Sequence, residues 1–185
     1  MITPLTADEV EARWGALAAR LLTGLHPAEG DPVRAEVPVA VYDPDAPRGE
    51  ALFARLERAR LATGSPALYV VDYDPRPGGG VRPTEGYRVA AASPDAWRRA
   101  GQDLAWGLGG TSFAFFDDSA RWVALSLVGA VLFAGERALL APLFGDHATA
   151  AAAVMAFRER CGTPLTQPAY RALVDCARLP DPDDA

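Results

Sequence analysis

The chain has 185 residues, with 18 basic and 24 acidic side chains and a formal net charge of −6. Half of the residues are apolar and 23% are charged, which excludes a wholly disordered or collagen-like chain. Every basic residue is an arginine, so chemistry that needs a lysine, such as Schiff-base formation or P-loop phosphate binding, is excluded.

The first predicted elements are a helix and an edge strand. Thr6 and Glu9 have the spacing of a capping box, and the apolar residues behind them recur at spacings of three and four. This pattern predicts an amphipathic helix over 7–25. Residues 36–42 alternate β-branched and other side chains and predict a strand, which Pro38 confines to a sheet edge.

A second helix is predicted over 48–62, with its apolar side chains facing inward. The arginines of this segment are expected on a solvated face: Arg55, Arg58 and Arg60. Strands are predicted over 67–73 and 87–92. The segment 74–86 between them holds three prolines and four glycines, which predicts a long hairpin loop or a mobile flap without regular structure.

A third helix is predicted to start at Ser93, where an N-cap serine is followed by proline and aspartate. Trp97, Leu104 and Leu108 form its inner stripe, and Trp106 lies almost opposite them at 100° per residue. Trp106 is therefore expected either to be covered by a later segment or to be exposed at an interface, where aromatic side chains contribute strongly to binding.

The second half of the chain predicts three short strands and further helices. Strands over 111–116, 121–128 and 130–134, separated by short turns, indicate an antiparallel meander. A short helix over 136–144, a C-terminal helical pair over 147–161 and 167–178, and a disordered acidic tail over 180–185 follow. The expected fold is a single α+β domain over 1–179, with a mostly antiparallel sheet and helices packed on one face.

Two acidic pairs lie where predicted strands end. Asp43 and Asp45 lie at the end of one strand, and Asp72 and Asp74 lie at the end of another. Such carboxylates can hold a divalent cation, although aspartate beside proline also serves turn formation alone. No zinc motif, G-x-S-x-G motif or glycine-rich phosphate loop is present, and no cofactor is predicted.

The turn after the first meander strand gathers two carboxylates, a guanidinium and an indole. Asp117 and Asp118 are followed closely by Arg121 and Trp122. One interpretation is a well-made turn before a core tryptophan. The other is an acidic recognition surface for a partner.

The same segment carries a resemblance. The run Phe-Phe-Asp-Asp-Ser-Ala-Arg-Trp-Val-Ala-Leu-Ser over 115–126, with Ala-Val-Leu-Phe-Ala-Gly over 130–135, resembles a hairpin of small bacterial immunity proteins. Val123 follows the tryptophan where those proteins usually carry glycine. The resemblance covers about 25 residues and implies a non-enzymatic protein that binds and blocks a toxin.

The cysteines and the termini predict the compartment. In the predicted helical pair, Cys161 and Cys176 differ in level by roughly 13 Å, too far for a disulfide, which indicates reduced thiols. The N-terminus has no signal-peptide pattern, and the most apolar run, 122–135, is shorter than a membrane helix needs. A cytoplasmic protein is expected, and the lysine-free, alanine-rich composition suggests a GC-rich bacterial genome.

The leading hypothesis is a non-catalytic protein-binding module, an immunity- or antitoxin-type inhibitor that occludes a basic site on a partner protein. Nucleic acid and membrane partners are not expected, because general nucleic-acid binding requires a basic surface. The candidate partner-binding residues are Trp106, Asp117, Asp118, Arg121 and Trp122. One alternative is a divalent-metal enzyme that uses the strand-end aspartates. Another is a structural or oligomeric subunit.

Overall fold

The computed structural model describes residues 2–24, 32–42, 52–76, 80–90, 113–127 and 130–144. These ranges hold three helices and seven strands. In chain order they are β1 (Ile2–Pro4), α1 (Ala7–Leu21), β2 (Val39–Tyr42), α2 (Leu52–Thr63), β3 (Ala67–Arg76), β4 (Gly80–Ala90), β5 (Phe113–Asp117), β6 (Trp122–Leu127), β7 (Ala130–Gly135) and α3 (Arg137–Phe144). The helix predicted from Ser93, the C-terminal helical pair with both cysteines, and the tail over 180–185 lie outside the described residues.

The seven strands form one sheet in the order β1-β4-β3-β5-β6-β7-β2, and every pair of neighbours is antiparallel. The prediction of an α+β fold built on an antiparallel sheet is therefore confirmed. β5, β6 and β7 lie side by side in chain order. β2 lies at the edge of the sheet, as Pro38 predicted, and β1 was not predicted.

Helices cover both faces of the sheet, so the prediction of helices on one face was wrong. α1 packs its buried side chains against one face, which we call the first face, where Tyr69 and Phe116 lie. α2 and α3 pack on the second face, which carries Trp122 and Phe133. The reason is visible in β6 and β7, which are apolar at nearly every position and so must be covered on both sides.

α1 begins where the capping box predicted. The backbone N–H of Glu9 donates to Thr6 Oγ1 at 3.3 Å, and the backbone N–H of Thr6 donates to Glu9 Oε2 at 2.9 Å. These two bonds satisfy donors that the first helical turn leaves free. The helix ends at Leu21 rather than at 25, because Leu22 leaves the helix to form an isolated antiparallel bridge with Val33.

Residues 74–76 and 80–86 belong to paired strands, so the prediction that this segment lacks regular structure was wrong for them. β3 continues to Arg76 and β4 starts at Gly80, with Pro75 paired with Val81 and Tyr73 with Pro83. A proline fits a ladder where its nitrogen faces away from the partner strand. Beyond Asp72, where its pairing with β5 ends, β3 is paired only with β4 within the described residues, so its outer edge tolerates proline.

The arginines of α2 do not all lie on a solvated face, because Arg58 is exposed as predicted but Arg55 is half-buried and Arg60 is buried. Arg60 is 6% exposed and donates to the carbonyl of Ser65 and to the Glu57 carboxylate. Arg58 donates to the carbonyl of Pro142 at 2.6 Å. The Arg55 guanidinium lies 4.4 Å from the ring centroid of Phe144 in α3. Arg55 and Arg58 therefore connect α2 to α3, and Arg60 holds the end of α2 against the turn that follows it.

Candidate partner-binding surface

The β5–β6 turn, which we define as residues 117–122, is the best-defined part of the predicted site. Its backbone closes with a hydrogen bond from the N–H of Ala120 to the carbonyl of Asp117 at 3.3 Å. Ala120 has a φ of 50°, in the left-handed region that alanine rarely adopts. A turn held in this conformation depends on contacts from its own side chains.

Asp117 supplies those contacts from inside the protein. It is 2% exposed, and its Oδ1 accepts the backbone N–H of Ser119 at 2.8 Å and also the Ser119 hydroxyl. Its Oδ2 accepts the indole N–H of Trp122 at 2.8 Å and the hydroxyl of Thr63 in α2 at 2.5 Å. The carboxylate therefore ties the turn to the second face and to α2.

Trp122 lies in the core. Its side chain has 0% exposure, and its ring stacks on Phe133 with centroids 6.4 Å apart and an interplanar angle of 13°. This placement matches the interpretation of a turn followed by a core tryptophan. Trp122 and Asp117 thus hold the turn from beneath, and they present no surface that a partner could contact directly.

Asp118 points to the opposite side of the sheet. Its side chain is 45% exposed, and its Oδ1 accepts the Tyr69 hydroxyl at 2.8 Å. The same oxygen lies 3.7 Å from Nε of Arg13 in α1, and the Arg13 guanidinium lies 4.6 Å from the centroid of the Tyr69 ring. Burial, followed by the bond to Asp118, raises the pKa of Tyr69, so the phenol stays protonated and remains a donor.

Arg121 is fixed by a carboxylate on the other side of the turn. Its Nε and Nη2 donate to Glu136 Oε2 at 2.8 and 2.6 Å, and Arg20 of α1 donates to Glu136 Oε1 at 2.5 Å. The hydrogen bond from Arg121 is the main reason that the pKa of Glu136 is lowered, with further contributions from the charges of Arg121 and Arg20. Arg121 is 37% exposed.

These contacts form two clusters, Arg13 with Asp118 and Glu136 with Arg20 and Arg121, which we together call the paired-charge strip. It runs along α1, whose Arg13 and Arg20 are seven residues apart and so lie on one side of the helix. Sequence reasoning found Asp118 and Arg121 but missed the other members. The seven-residue spacing of Arg13 and Arg20 was the signal that could have identified them. Glu136 is 116 residues from Arg20, so no local pattern places it beside α1.

Of the two acidic pairs proposed for a metal, the structure describes only Asp72 and Asp74. Asp72 pairs with Glu85 across the hairpin, and Asp74 lies within β3 rather than after it. Asp43 and Asp45 lie outside the described residues. Among the described residues, no group of three or more metal-ligating side chains is present.

Trp106 also lies outside the described residues, so its exposure stays a prediction. None of the described helices is long and apolar enough to cross a membrane. No protein-family model, curated protein or solved structure matches the chain.

Proposed function

We propose that this chain is a non-catalytic protein-binding module, an immunity- or antitoxin-type inhibitor that acts in the bacterial cytoplasm. The observation that carries the proposal is the exposed Asp118 carboxylate, which the Tyr69 hydroxyl and the Arg13 guanidinium orient on a rigid turn. The partner would present a lysine or arginine to the second oxygen of this carboxylate. Binding would then block the basic site of the partner.

A fixed carboxylate binds a cation better than a mobile one, because the entropy of ordering it has already been lost on folding. Asp117 fixes the turn from within and Trp122 packs beneath it, so Asp118 and Arg121 keep their positions before a partner arrives. Most preorganised interfaces move little on binding. The buried half of the turn therefore serves recognition by holding the exposed half in place.

Two further properties support the proposal. The net charge of −6 favours encounter with a basic partner through long-range attraction. The resemblance of residues 115–126 and 130–135 to a hairpin of bacterial immunity proteins points to the same class of function.

The test is affinity capture from a lysate of the native host with three forms of the chain. The tag belongs at the C-terminus, because β1 begins at Ile2 and pairs with β4. Wild type should retain one stoichiometric basic protein, identified by mass spectrometry, and Asp118→Arg should lose it. Glu11→Arg is the matched control, because it makes the same charge change at an exposed site on α1.

Retention by wild type and by Glu11→Arg, with loss by Asp118→Arg, supports the proposal. If no stoichiometric protein is captured, or if Asp118→Arg captures it as well as wild type does, this function for the turn is rejected. Circular dichroism of all three forms verifies that each is folded.

A further inference from the structure

The Asp118 carboxylate has one oxygen that the fold uses and one that it leaves open. Its Oδ1 accepts the Tyr69 hydroxyl at 2.8 Å and lies 3.7 Å from Nε of Arg13. Its Oδ2 has no hydrogen-bond partner among the described residues, and the side chain is 45% exposed. A partner can therefore reach this carboxylate, and the open position is its second oxygen.

Glu136 shows how the same protein surface fills both oxygens of a carboxylate. Arg20 donates to Oε1 at 2.5 Å, and Arg121 donates to Oε2 at 2.8 and 2.6 Å. All three side chains are partly exposed to solvent. Two guanidinium groups thus share one carboxylate at the surface, with one oxygen for each.

Asp118 has half of this arrangement. Arg13 lies beside Oδ1, although it is too far away for a direct hydrogen bond. The position that Arg121 takes at the second oxygen of Glu136 has no counterpart at Asp118 among the described residues. A guanidinium from a partner protein would complete the arrangement at Oδ2.

The charge of Arg13 favours a guanidinium over an ammonium at this second oxygen. A guanidinium is planar, has a delocalised charge and is weakly hydrated, so it can share a carboxylate with another guanidinium, as it does at Glu136. An ammonium is a compact and strongly hydrated charge, and it loses more solvation beside a second cation. Arginine is also enriched in protein interfaces, where lysine is depleted.

We infer that the partner residue at Asp118 is an arginine, which donates to Oδ2 and leaves the carboxylate between two guanidinium groups. The inference rests on the proposed function and narrows it, since both use the same carboxylate. The basic site that the chain blocks would then contain an exposed arginine. Arginine is among the residues that most often dominate the binding energy of an interface.

The test compares two fluorescein-labelled peptides of equal charge, hexa-arginine and hexalysine, by fluorescence anisotropy at low salt. Both should bind the acidic chain through long-range attraction, with hexa-arginine bound more tightly. Asp118→Asn should weaken binding of hexa-arginine about threefold and of hexalysine less than about 1.5-fold. The matched control is Glu11→Gln, which removes the same charge from an exposed site on α1 and should weaken both peptides equally.

A preference for hexa-arginine that is lost in Asp118→Asn and kept in Glu11→Gln supports the inference. Wild type without this preference, or equal weakening of both peptides by Asp118→Asn, overturns it. A preference that depends on Asp118, in a chain that captures no stoichiometric protein, keeps the arginine site and rejects the proposed function. If Asp118→Arg loses the captured protein but wild type does not distinguish the peptides, the proposed function stands and this inference is rejected.

Discussion

At the scale of single residues, two identical neighbours have opposite roles. Asp117 is 2% exposed and Asp118 has a 45% exposed side chain, because adjacent residues at a strand end point to opposite sides of the sheet. Asp117 accepts bonds from the second face and α2, and Asp118 accepts from Tyr69 beside α1. The pair therefore connects the two helical layers across one turn.

This division of roles predicts different costs for the two carboxylates. Asp117→Ala should lower the free energy of unfolding by about 3 kcal/mol, because it leaves the buried Trp122 indole and the Ser119 amide without their acceptor. Asp118→Ala should lower it by less than about 1 kcal/mol, because that ion pair is exposed to solvent. Urea denaturation measures both, and equal costs would contradict the assigned roles.

At the scale of elements, a glycine sets how closely α1 approaches the sheet. Gly86 in β4 is buried, and its carbonyl accepts the N–H of Leu5 at 2.9 Å just before the helix starts. A Cβ atom at this position would lie 2.7 Å from Cγ2 of Val10 and 3.3 Å from Cγ2 of Val71. The absence of a side chain thus lets α1 pack directly on β4.

Two glycine-to-alanine substitutions should consequently have opposite signs. Gly86→Ala should destabilise the protein by roughly 1–3 kcal/mol, because Val10 or the helix must move. Gly15→Ala, in the exposed middle of α1 with nothing within 4 Å of the new Cβ, should stabilise it by up to about 1 kcal/mol through helix propensity. Thermal unfolding of both variants checks the pair. If both variants are less stable than wild type, the low helix propensity of Gly15 does not limit the stability of the protein.

Local signals predicted the elements well. The capping box placed the start of α1, and Pro38 placed β2 at an edge, because each signal acts within a few residues of the chain. The extension of β3 over 74–76 and of β4 over 80–86 was missed because whether a proline fits a strand depends on which side its nitrogen faces. That property follows from the pairing register, which composition does not contain.

At the scale of the whole molecule, the sheet separates two hydrophobic cores, one beneath α1 and one beneath α2 and α3. Polar groups connect these layers at the strand ends, where β5 turns into β6 in the middle of the sheet. Of the candidate site, the sequence predicted the turn residues but could not predict their partners, since Arg13 and Glu136 reach the turn only through the folded topology. The contacts of Arg55 and Arg58 were missed for the same reason, because α3 supplies them from far along the chain.

The link between layers through Glu136 predicts how stability depends on pH. Its pKa is lowered from 4.5 by the hydrogen bond from Arg121 and the charges of Arg121 and Arg20, so between the folded and unfolded pKa values the unfolded chain binds more protons. This stabilisation is complete above pH 4.5 and is lost as the pH falls through the lowered value. Glu9, whose pKa the bonds from Thr6 lower, contributes with the same sign.

Glu136→Gln should therefore reduce the acid dependence of stability without abolishing it. At pH 7 the variant should be less stable than wild type by up to about 1 kcal/mol, because one carboxylate loses its charge-assisted bonds to two arginines at a partly exposed site. Below pH 4.5 the difference should shrink, since protonated glutamate and glutamine are both neutral. Urea midpoints between pH 3 and 7 measure the difference in stability between wild type and Glu136→Gln. The control is Glu11→Gln, at an exposed position on α1. A gap that stays constant across this range would show that the charge of Glu136 does not stabilise the contact between α1 and the turn.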